Sequence, residues 1–257
     1  MAEVPVQYTA LVLAGTRPGG DPLAAQAGVA HKALIEVGGM PMLGRVLCAL
    51  AATVEVGRMV VATDRPELLS HMPSVGKAVE VIPAAAGPSA SVARALEQLG
   101  TPLLVTTADH ALLQAEWVSQ FLRDAGGVEA DAVVGLARRE AVVAAAPGTE
   151  RTWLRFADGD FSGCNLFLLR TTEAVRIVGL WQSLEAARKR PMSLLRRLGF
   201  LHVLRYRLGL LRLDQALERL GRIAGARVRY VVLADGRAAI DVDKQADLEL
   251  VRQLLRC

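Results

Sequence analysis

At 257 residues, 52% of them apolar and 22% charged, the chain can build one sizeable α/β core and is too apolar to be disordered. The formal net charge of +4 is unevenly spread: residues 1–150 hold 10 basic and 15 acidic side chains, giving −5, whereas 151–257 hold 20 and 11, giving +9. No apolar run approaches the roughly 18 residues of a spanning helix, and the N-terminal stretch lacks a basic n-region and reads as a first strand, so neither a membrane span nor a signal peptide is expected.

The first strand is expected at Ala10–Ala14, running into a loop that contains Gly15, Gly19 and Gly20. Glycine lets backbone N–H groups turn toward phosphate oxygens, and Arg17 and Lys32 add positive charge nearby. The loop matches neither the dinucleotide fingerprint nor the Walker loop, since GxGxxG and GK[ST] are both absent. A helix is predicted over 41–52, a strand at 59–62, a short helix over 66–71 and a strand at 78–83. The loop Pro83–Ser91 then offers small residues against which a planar base can lie. Ser89 is placed to cap the next helix (89–99) and Ser91 to reach a base or ribose, although a plain capped turn reads equally well.

A strand at 103–107 delivers Asp109 to its carboxyl end, where open α/β sheets bind ligands. Asp109 suits Mg²⁺, which takes one or two carboxylates and completes its shell with phosphates and water; a turn or N-cap aspartate is the alternative. A helix over 114–123 and a strand at 132–137 complete a β-α alternation that argues for a mostly parallel, doubly wound sheet. Two shorter strands follow at 153–156 and 165–169, around the turn Ala157-Asp158-Gly159-Asp160. Asn165 is a candidate hydrogen-bond partner for ribose or acceptor. Cys164 reads as a packed small residue, and the three cysteines, Cys48, Cys164 and Cys257, have neither zinc nor disulfide spacing, as suits a reducing cytoplasm. His31, His110 and His202 read as loop or surface residues, with no spacing for triad chemistry.

From about 171 to 225 the chain is expected to be a helical, arginine-rich elaboration of a single domain spanning 1–257. Within 188–229 there are 12 basic residues against Asp214 and Glu218, a local +10. Segment 188–212 reads as a helix pair with one buried apolar face and a cationic rim. A solvated face is one reading of it; docking on an anionic membrane, or binding a phosphorylated lipid-like acceptor, is the other. The block lacks interleaved aromatics, so nucleic acid is not an expected partner. Strands at 228–233 and 238–242 and a helix over 244–254 close the chain. A strand there would put Asp241 and Asp243 on one face, two residues apart.

Leu13-Ala14-Gly15, Arg17, Lys32 and the run Val37-Gly38-Gly39-Met40-Pro41-Met42-Leu43 together resemble the opening of the MobA-like NTP transferase family, a branch of the nucleotidyltransferases with the GT-A fold. Ala108-Asp109-His110-Ala111-Leu112-Leu113 resembles that family's GDxPLL-like motif, and Asp241-Val242-Asp243-Lys244-Gln245-Ala246-Asp247-Leu248 resembles its C-terminal metal-ligand run. Departures are Thr16 for the second glycine, a longer Gly15–Lys32 stretch, Ala108 and Ala111 for Gly and Pro, and the loss of Thr and Pro after Asp243.

The resemblance implies a three-layer α/β/α fold with a mostly parallel mixed sheet and a Mg²⁺-dependent transfer of NMP from an NTP to a phosphorylated small molecule or lipid headgroup, with Mn²⁺ as a substitute ion. By it, Lys32 and Arg17 contact phosphates and Leu13, Ala14, Gly15 and Thr16 wrap the triphosphate. Ser89, Ser91 and Asn165 then line the nucleotide pocket, and Asp109 and Asp243 hold the metal with Asp241 in support. Two other readings stay open: a GT-A glycosyltransferase using Asp241-Val242-Asp243 as a DxD motif, and a nucleotide-binding relic without turnover.

Overall fold

A computed structural model describes residues 7–16, 19–187 and 199–256. The main sheet has eight strands: β1 (Tyr8–Leu13), β4 (Val56–Thr63), β5 (Val79–Pro83), β6 (Leu103–Thr107), β7 (Ala132–Arg138), β8 (Leu154–Phe156), β9 (Gly159–Leu169) and β10 (Val228–Leu233). A separate hairpin is formed by β2 (Glu36–Val37) and β3 (Met40–Pro41). The strand order is β10-β7-β9-β6-β1-β4-β5, with β8 paired to β9. Strand β9 runs antiparallel to β6, β7 and β8, and the other pairs of this sheet are parallel.

Both faces of the sheet are covered, which is why its strands read as continuous apolar runs. In β1, Ala10 and Val12 point into the larger core and Leu11 into the other; Met59 and Val61 divide from Val60 and Ala62 in the same way. Against the first face pack α2 (Met42–Ala52) and α4 (Ala115–Gly126). Helix α2 does so through Met42, Leu43, Val46, Leu47 and Leu50, and α4 through Trp117, Val118, Phe121, Leu122 and Ala125; both sets have helical spacing. The second face is covered by α3 (Pro88–Leu99) and α6 (Ala174–Ala187), through Val92, Ala95, Ala174 and Val178. The architecture is the expected three-layer α/β/α with a mostly parallel mixed sheet.

The remaining helices are α1 (Pro22–Gln26), α5 (Arg139–Ala145), α7 (Phe200–Arg207), α8 (Leu213–Ala224) and α9 (Gln245–Leu254). The extra residues between Gly15 and Lys32 are taken up by α1, whose N-cap Asp21 accepts from the amides of Leu23 (2.9 Å) and Ala24 (3.3 Å).

Three expectations need correction. Residues 238–242 are not a strand. Gly236–Ala239 forms a 3₁₀ turn capped by the Asp235 carboxylate, and the chain then crosses the carboxyl ends of the strands, where the Val242 amide donates to the Asp109 carbonyl at 3.1 Å. The turn sits so close to α5 that a Cβ on Gly236 would lie 2.2 Å from the Ala141 backbone. Strand β9 begins at Gly159, six residues before the expected start, because a bulge interrupts it: Val134 faces Phe167, yet Leu136 faces Gly163. Asn165 sits in that bulge with φ +48°, a left-handed conformation that asparagine tolerates. Finally, over 199–212 the expected helix pair with a buried apolar face is a single helix that leaves most of its apolar residues exposed, although Leu211 beyond it is buried. Residues 188–198 lie outside the described residues, and in α7 the exposed residues include Phe200, Leu201 and Leu204.

Candidate functional site

The carboxyl ends of β1 and β6 carry the polar residues that converge. Lys32, at the start of a 3₁₀ turn (Lys32–Leu34), extends its Nζ to Asp109 Oδ2 at 2.7 Å and to Asp243 Oδ1 at 3.0 Å. Three residues separated by 77 and 134 positions thus meet at one ammonium. The lysine side chain is only 10% exposed. Burial on its own would lower its pKa, but Asp109 and then Asp243 more than offset that, so the ammonium is held above its ordinary value. Asp109 Oδ1 is buried and makes no hydrogen bond.

Behind this triad lies a second layer that sequence reasoning did not single out. Arg151, also 10% exposed, forms an ion pair with Asp241 Oδ1 and donates to the Asp241 carbonyl at 3.2 Å, while Asp247 Oδ1 lies 3.8 Å away. The other Asp241 oxygen accepts from Asn165 Nδ2 at 2.7 Å, which is where the bulge of β9 aims that side chain. Burial pushes the Asp241 carboxyl above its ordinary range, and Arg151 opposes the shift. Asp241 and Asp243 therefore face different partners, because the segment carrying them is irregular and lacks the alternation of a strand. Asp247, in the first turn of α9, accepts from the amides of Asp243 and Lys244, both at 3.0 Å, and so fixes the chain at Asp243. Arg151 gave no local signal: it follows a Gly-containing linker and matches no motif.

The phosphate loop departs from expectation in two respects, since the Thr16 donors and the Ala14 amide are both engaged within the protein. The Thr16 amide and hydroxyl both donate to Asp64 Oδ1, at 2.8 and 3.0 Å, so a carboxylate occupies donors assigned to phosphate. Burial works to raise the Asp64 carboxyl, and the Thr16 hydrogen bonds outweigh it, leaving the pKa lowered. Leu13 and Ala14 end and follow β1; the Ala14 amide donates to the Ala62 carbonyl at 2.9 Å, and the Leu13 carbonyl accepts from Ala108 at 3.0 Å. Gly15 faces the base-loop residue Ala84, which a Cβ on the glycine would approach to 3.3 Å. Arg17 lies outside the described residues.

In the base loop, Ser89 does not cap α3. Gly87 holds the N-cap position, and the Ser89 hydroxyl bonds the Glu185 carboxylate of α6. The Ser91 hydroxyl accepts from the Ala85 amide at 2.9 Å and donates to the Gly87 carbonyl at 3.0 Å, so both of its functions hold the loop in shape. Cys164 is buried, and burial pushes its thiol well above the ordinary range, which leaves no nucleophile there. His110 is buried, stacked on Trp117 and pushed down to about 4 by burial, so the ring stays neutral.

The donor set fits a hard divalent cation. Asp109 and Asp243 present oxygen ligands around a single point, and the unpartnered Asp109 Oδ1 is a buried anionic atom suited to a cation. No cluster of three or more His, Cys, Asp or Glu residues among the described residues could hold a metal, and an ion recruited with a triphosphate needs no such cage.

A mixed, mostly parallel sheet with an acidic pair and a lysine at its carboxyl edge defines a Rossmann-like nucleotidyltransferase of the GT-A type. Residues 10–227 match the MobA-like NTP transferase domain, and the chain belongs to that family. It is similar to a structure described as a hypothetical transferase from Thermus thermophilus, with 32% identity, a TM-score of 0.79, and coverage of 95% of this chain and 100% of that one. A CMP:2-keto-3-deoxy-manno-octonic acid synthetase solved with CTP shares the fold at 14% identity and a TM-score of 0.60, covering 98% and 99% of the two chains. So does a 2-C-methyl-D-erythritol 4-phosphate cytidylyltransferase, also from Thermus thermophilus, at 20% identity and a TM-score of 0.52, covering 99% and 100%. No curated protein matches significantly.

Proposed function

We propose that the chain transfers an NMP group from an NTP to a phosphorylated acceptor, a small molecule or a lipid headgroup, with release of pyrophosphate. The observation that carries this reading is the junction of Asp109 and Asp243 on the Lys32 ammonium, with the second Asp109 oxygen buried and unpartnered beside it. A Mg²⁺ ion held by Asp109 and Asp243, or Mn²⁺ in its place, would supply charge neutralisation at the phosphates. Lys32 bridges the two carboxylates, and turning its ammonium toward the triphosphate moves positive charge to where negative charge develops. The backbone amides of Gly15 and Thr16 bind and orient the phosphates once Thr16 gives up Asp64, the Ala14 amide being held by the Ala62 carbonyl, and Arg17 adds a second cation. Ser91 keeps the base loop in shape, and Ser89 anchors it to α6. Asp241, neutralised by Arg151 and steadied by Asn165, acts as a support and not as a ligand. The acceptor phosphate attacks the α-phosphorus in line; the protein's part is positioning and electrostatics.

That division of labour weakens the glycosyltransferase alternative, since Asp241 is taken up by Arg151 and Asn165 while Asp243 faces Lys32. The test is pyrophosphate release with CTP, GTP, ATP and UTP against phosphorylated sugars, polyols, cofactor precursors and lipid headgroups. Mg²⁺-dependent release lost in Asp109→Ala is the expected result. Binding of NTP with silence across the panel would favour the non-catalytic relic.

A further inference from the structure

Helix α7 inverts the usual rule for a surface helix. Taking 100° per residue, Phe200, Leu201, Leu204 and Leu208, the last at the C-cap, fall within an arc of about 100°. That arc is the exposed one: Phe200 is 70% exposed and Leu208 62%, and Leu210 just beyond the helix is also exposed. Arg207 and Arg205 flank it on opposite sides, at about 20° and about 40° outside its limits. Tyr206 on the other side packs edge-on against Phe156 of β8, with ring centroids 5.3 Å apart. The helix is therefore seated by its aromatic and presents a leucine-phenylalanine stripe between arginines.

An apolar stripe with cationic borders matches the interfacial zone of a bilayer, where apolar side chains enter the acyl boundary and arginines reach anionic headgroups. Charge supports that occupant, since residues 199–213 carry Arg205, Arg207 and Arg212 and no acidic residue, with Arg212 lying 3.9 Å from Asp158. Position does too. The Ala157 amide donates to the Leu211 carbonyl at 2.9 Å, and the Leu213 amide donates to Asp158 Oδ1 at 3.0 Å, which ties the segment after α7 to the β8–β9 turn. Phe161 pairs with Arg138, so that turn lies at the carboxyl end of β7, the same end of the sheet as Asp109. No helix among the described residues is long and apolar enough to cross a membrane, so attachment would be at the surface. We infer that the exposed face of α7 docks the protein on an anionic membrane, with the site end of the sheet on the docked side. The docking is independent of the reaction proposed above and can fail or hold without it.

The test is flotation of the full chain with vesicles of equimolar phosphatidylcholine and phosphatidylglycerol, and with phosphatidylcholine alone, at physiological salt. Partitioning onto the anionic vesicles alone is expected, reduced about tenfold or more in Phe200→Ser/Leu208→Ser, whose exposed positions leave the unfolding temperature unchanged. Arg207→Gln is expected to weaken binding and flatten its salt dependence. Absence of wild-type partitioning, or equal partitioning of the serine variant, overturns the inference. Sedimentation equilibrium covers the competing occupant: a wild-type dimer that the serine variant loses, without vesicle binding, assigns the face to a second copy of the chain and likewise overturns it.

Discussion

Replacing Arg151 with methionine should be among the most damaging changes to the stability of this protein that leave its packing volume nearly intact. The substitution removes the cation from Asp241 and Asp247, whose side chains are 16% and 5% exposed, and leaves the Asp241 carbonyl without its 3.2 Å donor. Removing one partner of a buried ion pair costs about 3–5 kcal/mol, because the remaining charge stays desolvated. For a chain of this size that corresponds to a fall in unfolding temperature on the order of 6–20 °C. The deficit should depend on pH. Burial already holds the Asp241 carboxyl above its ordinary range, and Arg151 is the main influence opposing it. Without the arginine the folded-state pKa rises further. A carboxyl whose folded pKa exceeds its unfolded value binds its proton more tightly when folded, so the deficit is full above the raised value and shrinks as pH falls through it. Urea unfolding of wild type and variant at about pH 5 and about pH 8 measures this directly. The double variant Arg151→Met/Asp241→Asn should recover most of the loss at the higher pH, since it removes the stranded charge. A deficit below about 1 kcal/mol, or one equal at both pH values and unrelieved by Asp241→Asn, would refute the reasoning.

Lys32→Met should lower stability by a constant amount between about pH 6 and pH 9, because a lysine with a raised pKa contributes fully below its ordinary value and loses that contribution only as pH rises through the raised one. Thermal unfolding across that range checks it; the same variant should be stabilised more by added Mg²⁺ than wild type, as the ion then meets the acidic pair without a competing ammonium. Gly236→Ala should lose more than about 3 kcal/mol, since its Cβ would fall 2.2 Å from the Ala141 backbone and no flexible side chain can yield; denaturant midpoints report it. Asn165→Val should lose about 1–2 kcal/mol beyond Asn165→Gly in the same denaturant assay, because a β-branched residue resists the left-handed bulge that glycine accepts. Ser91→Ala should raise the KM for NTP more than it lowers kcat, as the Ala85 amide loses its acceptor and the base loop slackens.

The strands at 103–107 and 228–233 are legible to the residue, the first as a short apolar run buried on both faces and the second as a β-branched and aromatic run that tolerates Arg229 at the sheet edge. Lys32, Asp109 and Asp243 are legible as three separate signals; no spacing indicates that one ammonium would touch both carboxylates. Arg151 and Asp64 are invisible for a physical reason. Each acts on a partner 48 or more positions away, through a side chain set in a segment with no periodicity of its own. The strand expected at Ala238–Val242 fails from the same root. Its alternation of apolar and acidic residues imitates a strand, but β10 already pairs with β7, and the chain beyond it turns over the ends of the strands. In α7 the misleading assumption is that an apolar stripe must face inward.

The junction at Lys32 also orders events during synthesis. Strands β1, β4, β5 and β6 and the loop bearing Asp109 are made early, whereas Asp243 follows 134 residues after Asp109, beyond the strand and the 3₁₀ turn that carry it across the sheet. A nascent chain holding Lys32 and Asp109 alone has an ion pair but no second carboxylate, and the Asp109 carbonyl has no Val242 amide to meet. Unfinished chains and early-terminated products therefore carry Lys32 and Asp109 without the second carboxylate of the junction.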